Sequence, residues 1–317
     1  MLAVVFDGET HRVTEAPSPA PQLDEVLVRV LKTGICNTDL EILAGYMGFR
    51  GIPGHEFVGV VEQGPSEWLG KRVVGEINIS DGTCDMCKKG IPSQCRHRTT
   101  LGIDRHNGTF AEYFALVTRN LHHVPDCISD DSAVFVEPLA AALDVVEVTP
   151  ISPGQNVVLI GSGKLGLLVA QVLRMTGCDL SVIVRNPAPA RLLERWGIRT
   201  ITLAQAERQQ ASVVVDCTGN SEGFAAALDL VRPRGTIVLK STYTQMPTAD
   251  LTRVVVDEVR VIGSRCGSFA PALRLLESGH IDTASLIEGR YSLREGMNAI
   301  EAAGRPGALK IVMEASQ

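Results

Sequence analysis

The most informative segment for the architecture is NVVLIGSGKLGLLVAQVLRMTG, residues 156–177. It begins with an apolar run typical of a buried strand and continues, after a glycine-rich turn, as an amphipathic helical pattern. Gly161, Gly163 and Gly166 have the GxGxxG spacing. The first allows a tight turn, the second lets backbone amides approach a pyrophosphate, and the third permits close helix-to-strand packing. The segment therefore predicts a dinucleotide-binding βαβ unit, with the phosphates of the cofactor at the N-terminus of the helix.

The end of the next apolar strand indicates which dinucleotide binds. LSVIV, residues 180–184, is followed by Arg185 and Asn186. An Asp or Glu at this place binds the adenosine ribose hydroxyls of NAD, whereas an arginine can pair with a ribose 2′-phosphate. The sequence therefore favours NADP(H), and NAD stays the alternative because arginines on surface loops are common.

Two different sequence patterns predict two domains. From about Pro138 onward apolar strands alternate with helical segments, which indicates βαβ units and a parallel sheet. The preceding part consists of short β-branched runs broken by Gly and Pro, such as EVLVRVLKTGIC and GKRVVGEI, as in a barrel-like all-β domain. The last strand, LKIVMEA at 309–315, can return to the first domain. The fold class is therefore α/β.

Length and composition agree with two globular domains and exclude several classes of protein. A chain of 317 residues exceeds what one core usually serves. The net charge of -6, without a long run of one sign, gives no basic stripe, so we expect no nucleic-acid partner. No stretch has the uninterrupted apolar length of a signal peptide or membrane span, so we expect no membrane association and a cytoplasmic location.

Residues upstream of the glycine-rich turn have the side chains that an open zinc site needs: Cys36, His55, Glu56 and Glu137. A thiolate and an imidazole hold a borderline-soft ion, and a carboxylate keeps the site nearly neutral while the ion lowers the pKa of bound water or alcohol. Each also has an ordinary structural explanation, as a small buried side chain, a turn histidine or a helix N-terminal acid. Together with the dinucleotide pattern they predict a metal-assisted dehydrogenase.

Cys84, Cys87 and Cys95 have the spacing C-x2-C-x7-C. Because no signal sequence precedes them, closely spaced cysteines are better explained as metal ligands than as disulfide partners. Three thiolates in this spacing predict a second metal site.

Several motifs, taken in order, closely resemble the zinc-dependent medium-chain alcohol dehydrogenase family. They are TGICNTDLEILAGYMGFRGIPGHEFVG at 33–59, DGTCDMCKKGIPSQC at 81–95, FVEPLAAAL at 135–143 and GSGKLG at 161–166. The resemblance spans nearly the whole chain. It is nearest to the polyol, sorbitol and threonine dehydrogenase branch, which has Glu-Pro-Leu where liver-type alcohol dehydrogenases have a cysteine as third ligand.

The resemblance implies a GroES-like, β-rich catalytic domain at 1–138 and 265–317, and a Rossmann domain at 139–264. It implies that Cys36 and His55 bind the catalytic zinc, that Glu137 fills or water-bridges the third position, and that Glu56 sits behind the metal or exchanges onto it. In the structural-zinc lobe of the family four cysteines bind the ion; here Asp81 stands in the first position, and a carboxylate can ligate zinc through oxygen.

For the proton, the resemblance implies that Thr38 takes it from the alcohol and passes it toward the nicotinamide ribose. Asp39 is more suited to orienting the ligand loop. Glu41 stands where many relatives have the histidine that ends the relay, and an exposed helix acid is an equally good explanation of this residue.

The resemblance also implies the cofactor contacts. Backbone near 241 and 264 binds the nicotinamide carboxamide, and the DCTG segment at 216–219 flanks the adenosine side. The candidate cofactor-binding residues are Gly161, Gly163, Lys164, Leu165, Gly166, Arg185, Thr218, Ser241 and Ser264. Residues 240–243 are also substrate candidates, with a solvated or interdomain surface as the alternative for Lys240.

We therefore predict a zinc-dependent NAD(P)(H) oxidoreductase acting on an alcohol or polyol, or on the corresponding carbonyl. Its partner is a small-molecule substrate, and the family expectation is a homodimer or homotetramer. One alternative is a zinc-independent, NADPH-dependent quinone or enone reductase built on the same two domains. Another is a non-catalytic NADP(H)-binding protein.

Overall fold

The computed structural model describes residues 1–243, 246 and 248–315. The strands are β1 Leu2–Phe6, β2 His11–Glu15, β3 Glu25–Gly34, β4 Glu56–Gln63, β5 Arg72–Gly75, β6 Asn78–Ile79, β7 Thr99–Leu101, β8 Arg105–His106, β9 Tyr113–Val117, β10 Leu121–His123, β11 Asn156–Ile160, β12 Asp179–Ile183, β13 Arg199–Ile201, β14 Ala211–Asp216, β15 Val231–Leu239, β16 Arg260–Gly263, β17 Ile287–Ser292 and β18 Lys310–Glu314. The α-helices are α1 Asn37–Leu43, α2 Asp85–Lys88, α3 Asp130–Ala133, α4 Val136–Val148, α5 Lys164–Met175, α6 Pro187–Arg195, α7 Ser221–Leu230, α8 Leu251–Val256, α9 Phe269–Glu277 and α10 Gly296–Ala303. Short 3-10 helices cover Tyr46–Gly48, Pro92–Gln94, Thr118–Asn120, Leu203–Gln205, Ala284–Leu286 and Leu293–Glu295.

The unit Pro138–Ser268 is built on a parallel sheet. Its described strands lie in the order β13-β12-β11-β14-β15-β16, and all of their pairings are parallel. In this doubly wound order the direction of winding reverses between β11 and β14, and the carboxyl ends of the strands there frame a nucleotide-binding crevice. The predicted Rossmann fold is confirmed.

The other unit combines Met1–Glu137 with Phe269–Gln317 and is rich in antiparallel strands. Its main sheet has the order β10-β5-β4-β3-β18-β17, and β9 also pairs with β3. β18 runs antiparallel to β3, with Val312 opposite Gly34, so the last strand returns to the N-terminal part of the chain as predicted. The pairing of β3 with β4 places Gly34 opposite Glu56, so the segments that carry the predicted ligands start from the same end of one ladder.

The boundaries between the two units fall after Glu137 and after Ser268. They lie close to the predicted boundaries after 138 and 264. Residues 265–268 stay with the Rossmann unit because they are bound to α4. The backbone N–H of Arg265 donates to Asp144, and Gly267 lies so close to the backbone at Ala140 that a side chain there would collide with it.

Candidate active site

Cys36, His55 and Glu56 converge in the β-rich unit. Cys36 is the N-cap residue of α1, two residues after β3 ends, and His55 directly precedes Glu56, the first residue of β4. Their potential ligand atoms all lie within 4.8 Å of one another, and His55 and Glu56 are buried. Strand pairing therefore brings a thiol next to an imidazole and a carboxylate that lie about twenty residues later in the sequence.

Asp39 holds two of these groups in place. One carboxylate oxygen lies 3.0 Å from His55 Nδ1, and the other accepts the backbone N–H of Cys36 at 2.8 Å. Burial of the ring lowers the pKa of His55, but Asp39 and Cys36 together raise it well above its usual value. Because Nδ1 faces Asp39, Nε2 is the nitrogen that remains for a metal, which is the common arrangement of ligating histidines.

Glu56 forms a buried ion pair with Lys310, the first residue of β18. The contact involves Glu56 Oε2, whereas Oε1, although buried, has no hydrogen-bond partner among the described residues. Burial opposes the charge of Lys310, but Glu56 and Cys36 raise its pKa above the usual value, so the lysine is a cation. Lys310 was not predicted from the sequence, where its only signal is a lysine that precedes three apolar residues of a strand.

The donor set fits zinc, because thiolate, imidazole nitrogen and an unpartnered buried carboxylate oxygen are its usual ligands. Glu137, the residue that resemblance placed third, lies in the first turn of α4 and outside the group of atoms within 4.8 Å. Thr38 lies beside the cluster, with its hydroxyl 3.8 Å from Cys36 Sγ. Glu41 is half-buried rather than fully exposed, and burial raises its pKa.

Asp81, Cys84, Cys87 and Cys95 form a second cluster, again with ligand atoms within 4.8 Å of one another. The sulfur of Cys84 lies 3.5 Å from that of Cys87 and 3.8 Å from that of Cys95. Asp81 Oδ1 lies 3.4 Å from the Cys87 sulfur and 3.3 Å from the Cys95 sulfur. Three thiols and one carboxylate at these distances fit a closed tetrahedral zinc site.

His97, which the sequence analysis did not single out, supports this cluster. Its Nδ1 lies 2.6 Å from Asp81 Oδ2, and its backbone N–H donates to the sulfur of Cys95. The His97 side chain and the N–H groups of Thr83 and Cys84 hold the pKa of Asp81 well below its usual range. Asp81 is therefore an anionic carboxylate, as a metal ligand must be.

The glycine-rich turn has the geometry of a dinucleotide site. Gly161 follows β11 with φ of 100°, and a side chain at Gly166 would collide with the carbonyl oxygen of Gly161. Gly163 caps α5, so Lys164 and Leu165 lie in the first turn, at the positive end of the helix dipole. Across the crevice, a side chain at Gly161 would approach the backbone of Cys217 at 3.0 Å, which explains why the turn has no side chain there.

Asp216, at the end of β14, organises the opposite side of the crevice. It accepts hydrogen bonds from Thr218, through the backbone N–H at 2.8 Å and the hydroxyl at 2.7 Å, and from the Tyr243 hydroxyl at 2.6 Å. Burial and the neighbouring carboxylate of Asp216 raise the pKa of Tyr243, so this hydroxyl is a proton donor. Ser241 and Ser264 follow β15 and β16 at the same edge of the sheet.

Arg185 lies just beyond β12 and is exposed. It forms an ion pair with Glu222 Oε2 at 3.7 Å, and both side chains are more than 70% exposed. Exposed pairs of this kind contribute little, so the guanidinium is available to an anionic ligand.

Comparison with known proteins agrees with both units. The family described as "Alcohol dehydrogenase GroES-like domain" matches residues 22–126, and "Zinc-binding dehydrogenase" matches residues 165–278. This chain belongs to the zinc-dependent medium-chain alcohol dehydrogenase family. The predicted family, the GroES-like and Rossmann fold and the NAD(P)- and zinc-dependent oxidoreductase activity are thereby confirmed.

Individual relatives in the family are distant but cover almost the whole chain. The sorbitol dehydrogenase of Halalkalibacterium halodurans is 29% identical, over 95% of this chain and 94% of its own. The L-threonine 3-dehydrogenase of Coxiella burnetii is also 29% identical, over 96% and 95%. The structure of a putative zinc-binding dehydrogenase from Sinorhizobium meliloti, bound to NADP, is 28% identical with a TM-score of 0.90 over 99% of this chain and 98% of that one.

The helices of this family member are too short or too polar to cross a membrane, as far as residues 1–243, 246 and 248–315 are concerned.

Proposed function

We propose that this dehydrogenase oxidises the hydroxyl group of an alcohol or polyol, or reduces the corresponding carbonyl, by hydride exchange with NAD(P). The observation that carries the proposal is the convergence of Cys36, His55 and Glu56 within 4.8 Å, with Glu56 Oε1 buried and unpartnered. Relatives named as dehydrogenases of sorbitol, arabinitol and threonine support a hydroxyl-bearing substrate.

At this site Cys36 and His55 would hold the zinc ion, and Glu56 would supply a third donor through Oε1. Glu137 is the alternative third donor, directly or through water. When bound, zinc supplies Lewis-acid chemistry that lowers the pKa of the substrate hydroxyl. Asp39 keeps His55 in one orientation and fixes the amide of Cys36, so the donors are preorganised.

The substrate proton leaves through Thr38, which passes it toward the nicotinamide ribose. The proximity of Thr38, which is half-buried, to Cys36 supports this role, since its hydroxyl lies 3.8 Å from the Cys36 sulfur. Glu41 takes the proton at the end of the relay. Burial raises the pKa of Glu41, which makes its carboxylate a better proton acceptor than an exposed one.

The cofactor lies across the β11–β14 crevice. The turn at Gly161, Gly163 and Gly166, with Lys164 and Leu165, receives the pyrophosphate, and Thr218 flanks the adenosine side. Arg185 pairs with a ribose 2′-phosphate, which makes NADP(H) the preferred cofactor. Backbone at Ser241 and Ser264 binds the nicotinamide carboxamide.

The second zinc ion is structural and would be held by Asp81, Cys84, Cys87 and Cys95. Four protein donors leave no position for substrate, so this ion braces its loop and carries no chemistry.

Metal content, measured by mass spectrometry of the purified protein, tests both sites. We expect two zinc ions per chain, one lost in Cys36→Ala and the other lost in Cys84→Ala. Asp81→Ala should also lose the structural ion, and Asp81→Cys should keep it. If Cys36→Ala loses no metal, the catalytic zinc is refuted and the quinone reductase alternative becomes the better explanation.

A turnover screen separates the three functional hypotheses. Alcohols, polyols, their carbonyl products and quinones are tested with NAD(H) and NADP(H), before and after zinc removal. Zinc-dependent turnover of a hydroxyl substrate supports the proposal. Full activity in protein verified to be free of metal contradicts it, and cofactor binding without turnover of any class favours a non-catalytic NADP(H)-binding protein.

The protein assembles as a homodimer or homotetramer. Among the described residues β16 pairs only with β15, and its residues are mostly exposed, which leaves an open sheet edge. Exposed apolar side chains lie on β16 and the preceding helix: Val261, Leu251, Val255 and Val256. Light scattering coupled to gel filtration should give a multiple of the 34.0 kDa chain mass, and Val255→Asp should lower it.

The cytoplasm is the location that best suits the chain. None of the eight cysteines, all within the described residues, forms a disulfide, and three lie together in a cluster that needs reduced thiols to bind metal. Fractionation of cells that express the tagged protein tests this location.

A further inference from the structure

A buried lysine lies at the carboxyl edge of the parallel sheet. Lys240 follows β15 directly and is only 7% exposed, so the solvated surface considered from the sequence is wrong for this residue. Its Nζ donates to the carbonyl oxygen of Arg265 at 2.5 Å and to the hydroxyl of Ser264 at 3.3 Å. An ammonium group is costly to bury, so these partners must satisfy it.

Asp144, on α4, contacts the same two residues, Ser264 and Arg265, that the Lys240 side chain contacts. Its Oδ2 accepts the hydroxyl of Ser264 at 2.6 Å and the backbone N–H of Arg265 at 2.9 Å. The Ser264 hydroxyl therefore lies between an ammonium and a carboxylate, and Arg265 is held through both its N–H and its carbonyl. All of these residues belong to the Rossmann unit.

The same lysine also fixes the end of β15. Its backbone N–H donates to the carbonyl of Asp216 at 2.9 Å, and the backbone N–H of Ser264 donates to the carbonyl of Leu239 at 3.0 Å. Ser241 follows directly in the chain. Lys240 therefore contacts the ends of both neighbouring strands, β14 and β16, from the end of β15. These three strands form the half of the doubly wound sheet that receives the second mononucleotide of a dinucleotide.

We propose that Lys240, with Asp144, is a positioning residue that fixes the backbone at Ser241 and Ser264 for the nicotinamide half of the cofactor. This inference rests on the proposed carboxamide contacts at residues 241 and 264. Hydride transfer requires the nicotinamide to be held in a narrow range of orientations, and a rigid backbone provides this better than a free loop.

Ligands that contain or lack the nicotinamide test the role. Dissociation constants of NADPH, NADH and ADP-ribose, with and without a 2′-phosphate, are measured by fluorescence titration of zinc-loaded protein. In Lys240→Met we expect NADPH binding to weaken about tenfold, because a buried hydrogen-bonded cation is lost, while ADP-ribose binding stays within about twofold. Lys240→Arg keeps the charge and the donors and should retain most of the NADPH affinity.

Asp144→Ala removes the carboxylate from the same arrangement and should weaken NADPH selectively as well. Arg199→Met is the matched control, because it removes an exposed cation at the amino end of β13, away from the carboxyl edge of the sheet. It should change the affinity for neither NADPH nor ADP-ribose.

The outcomes separate the possible failures. Equal loss of NADPH and ADP-ribose binding in Lys240→Met would show that the lysine only stabilises the fold. Unchanged NADPH affinity would show that it does not position the nicotinamide. Either result overturns the role of Lys240 but leaves the proposed contacts at residues 241 and 264 intact. If the wild-type protein binds ADP-ribose and NADPH equally well, residues 241 and 264 do not bind the nicotinamide. In that case both the role of Lys240 and the proposed carboxamide contacts are refuted.

Discussion

The buried pair of Glu56 and Lys310 makes a quantitative prediction about stability and metal binding. Both side chains are at most 3% exposed, so neither charge can be hydrated if its partner is removed. Breaking a buried pair from one side costs about 3–5 kcal/mol, because one charge remains buried without compensation. We therefore expect Lys310→Met to lower the free energy of unfolding of the β-rich unit by about 3–5 kcal/mol in zinc-free protein.

Zinc should reduce that loss. Glu56 belongs to the metal cluster, and its Oε1 has no hydrogen-bond partner among the described residues, so a bound divalent ion would compensate the carboxylate charge that Lys310 no longer balances. Glu56→Gln alone leaves a buried lysine unpaired and should be comparably unstable. The double variant removes both charges and should recover a stability close to wild type, with a coupling energy of about 2 kcal/mol or more.

Urea unfolding followed by tryptophan fluorescence measures these quantities. The chain has two tryptophans, Trp68 in the β-rich unit and Trp196 in the Rossmann unit, so a Trp196→Phe background reports on the β-rich unit alone. Each variant is compared with and without zinc. A double variant whose destabilisation equals the sum of the two single losses would refute the reasoning, and so would a loss from Lys310→Met that zinc leaves unchanged.

Further predictions follow from the proton path, the cofactor pocket and the glycine turn. Thr38→Ala should lower kcat about 100-fold and Thr38→Ser should restore most of it, since general acid–base groups contribute about that much; equal rates in both variants would contradict the relay. Arg185→Ala should raise KM for NADP about tenfold and leave KM for NAD within about twofold, and equal changes for both cofactors would remove the arginine from 2′-phosphate recognition. Gly166→Ala should destabilise the Rossmann unit by about 1–3 kcal/mol in thermal unfolding and weaken both cofactors, because its new methyl group meets the Gly161 carbonyl; wild-type stability would contradict the packing argument.

The parts of the fold that were predictable are those whose signals are local. The GxGxxG turn needs a strand before it and a helix after it, and all of these features lie within residues 156–177. Cys36, His55 and Glu56 were predictable for a related reason. Each residue alone has an ordinary structural explanation, but a thiol, an imidazole and a carboxylate together indicate a metal, and two of them are neighbours in sequence.

The parts that were not predictable depend on contacts between distant segments. Lys310 meets Glu56 across 254 residues, and only the register of β18 against β3 brings them together. Burial of Lys240 depends on Asp144 and the carbonyl of Arg265, which no periodicity indicates. The place of Glu137 relative to the other donors depends on how α4 leaves the β-rich unit, and the resemblance gave two roles for it without deciding between them.

The two metal clusters differ in a way that explains why only one is suited to chemistry. The cluster of Asp81, Cys84, Cys87 and Cys95 offers a carboxylate and three sulfur atoms, which as thiolates would saturate a tetrahedral ion and overcompensate its charge. The cluster of Cys36, His55 and Glu56 offers three donors, of which a thiolate and a carboxylate would be anionic. The negative charge of Asp39 beside His55 is balanced by the positive charge of Lys310 beside Glu56. An ion held there keeps an open position and enough positive charge to polarise a hydroxyl group. If Lys310 is lost, the excess negative charge around the ion should weaken that polarisation, so Lys310→Met should lower kcat even in protein that retains its zinc.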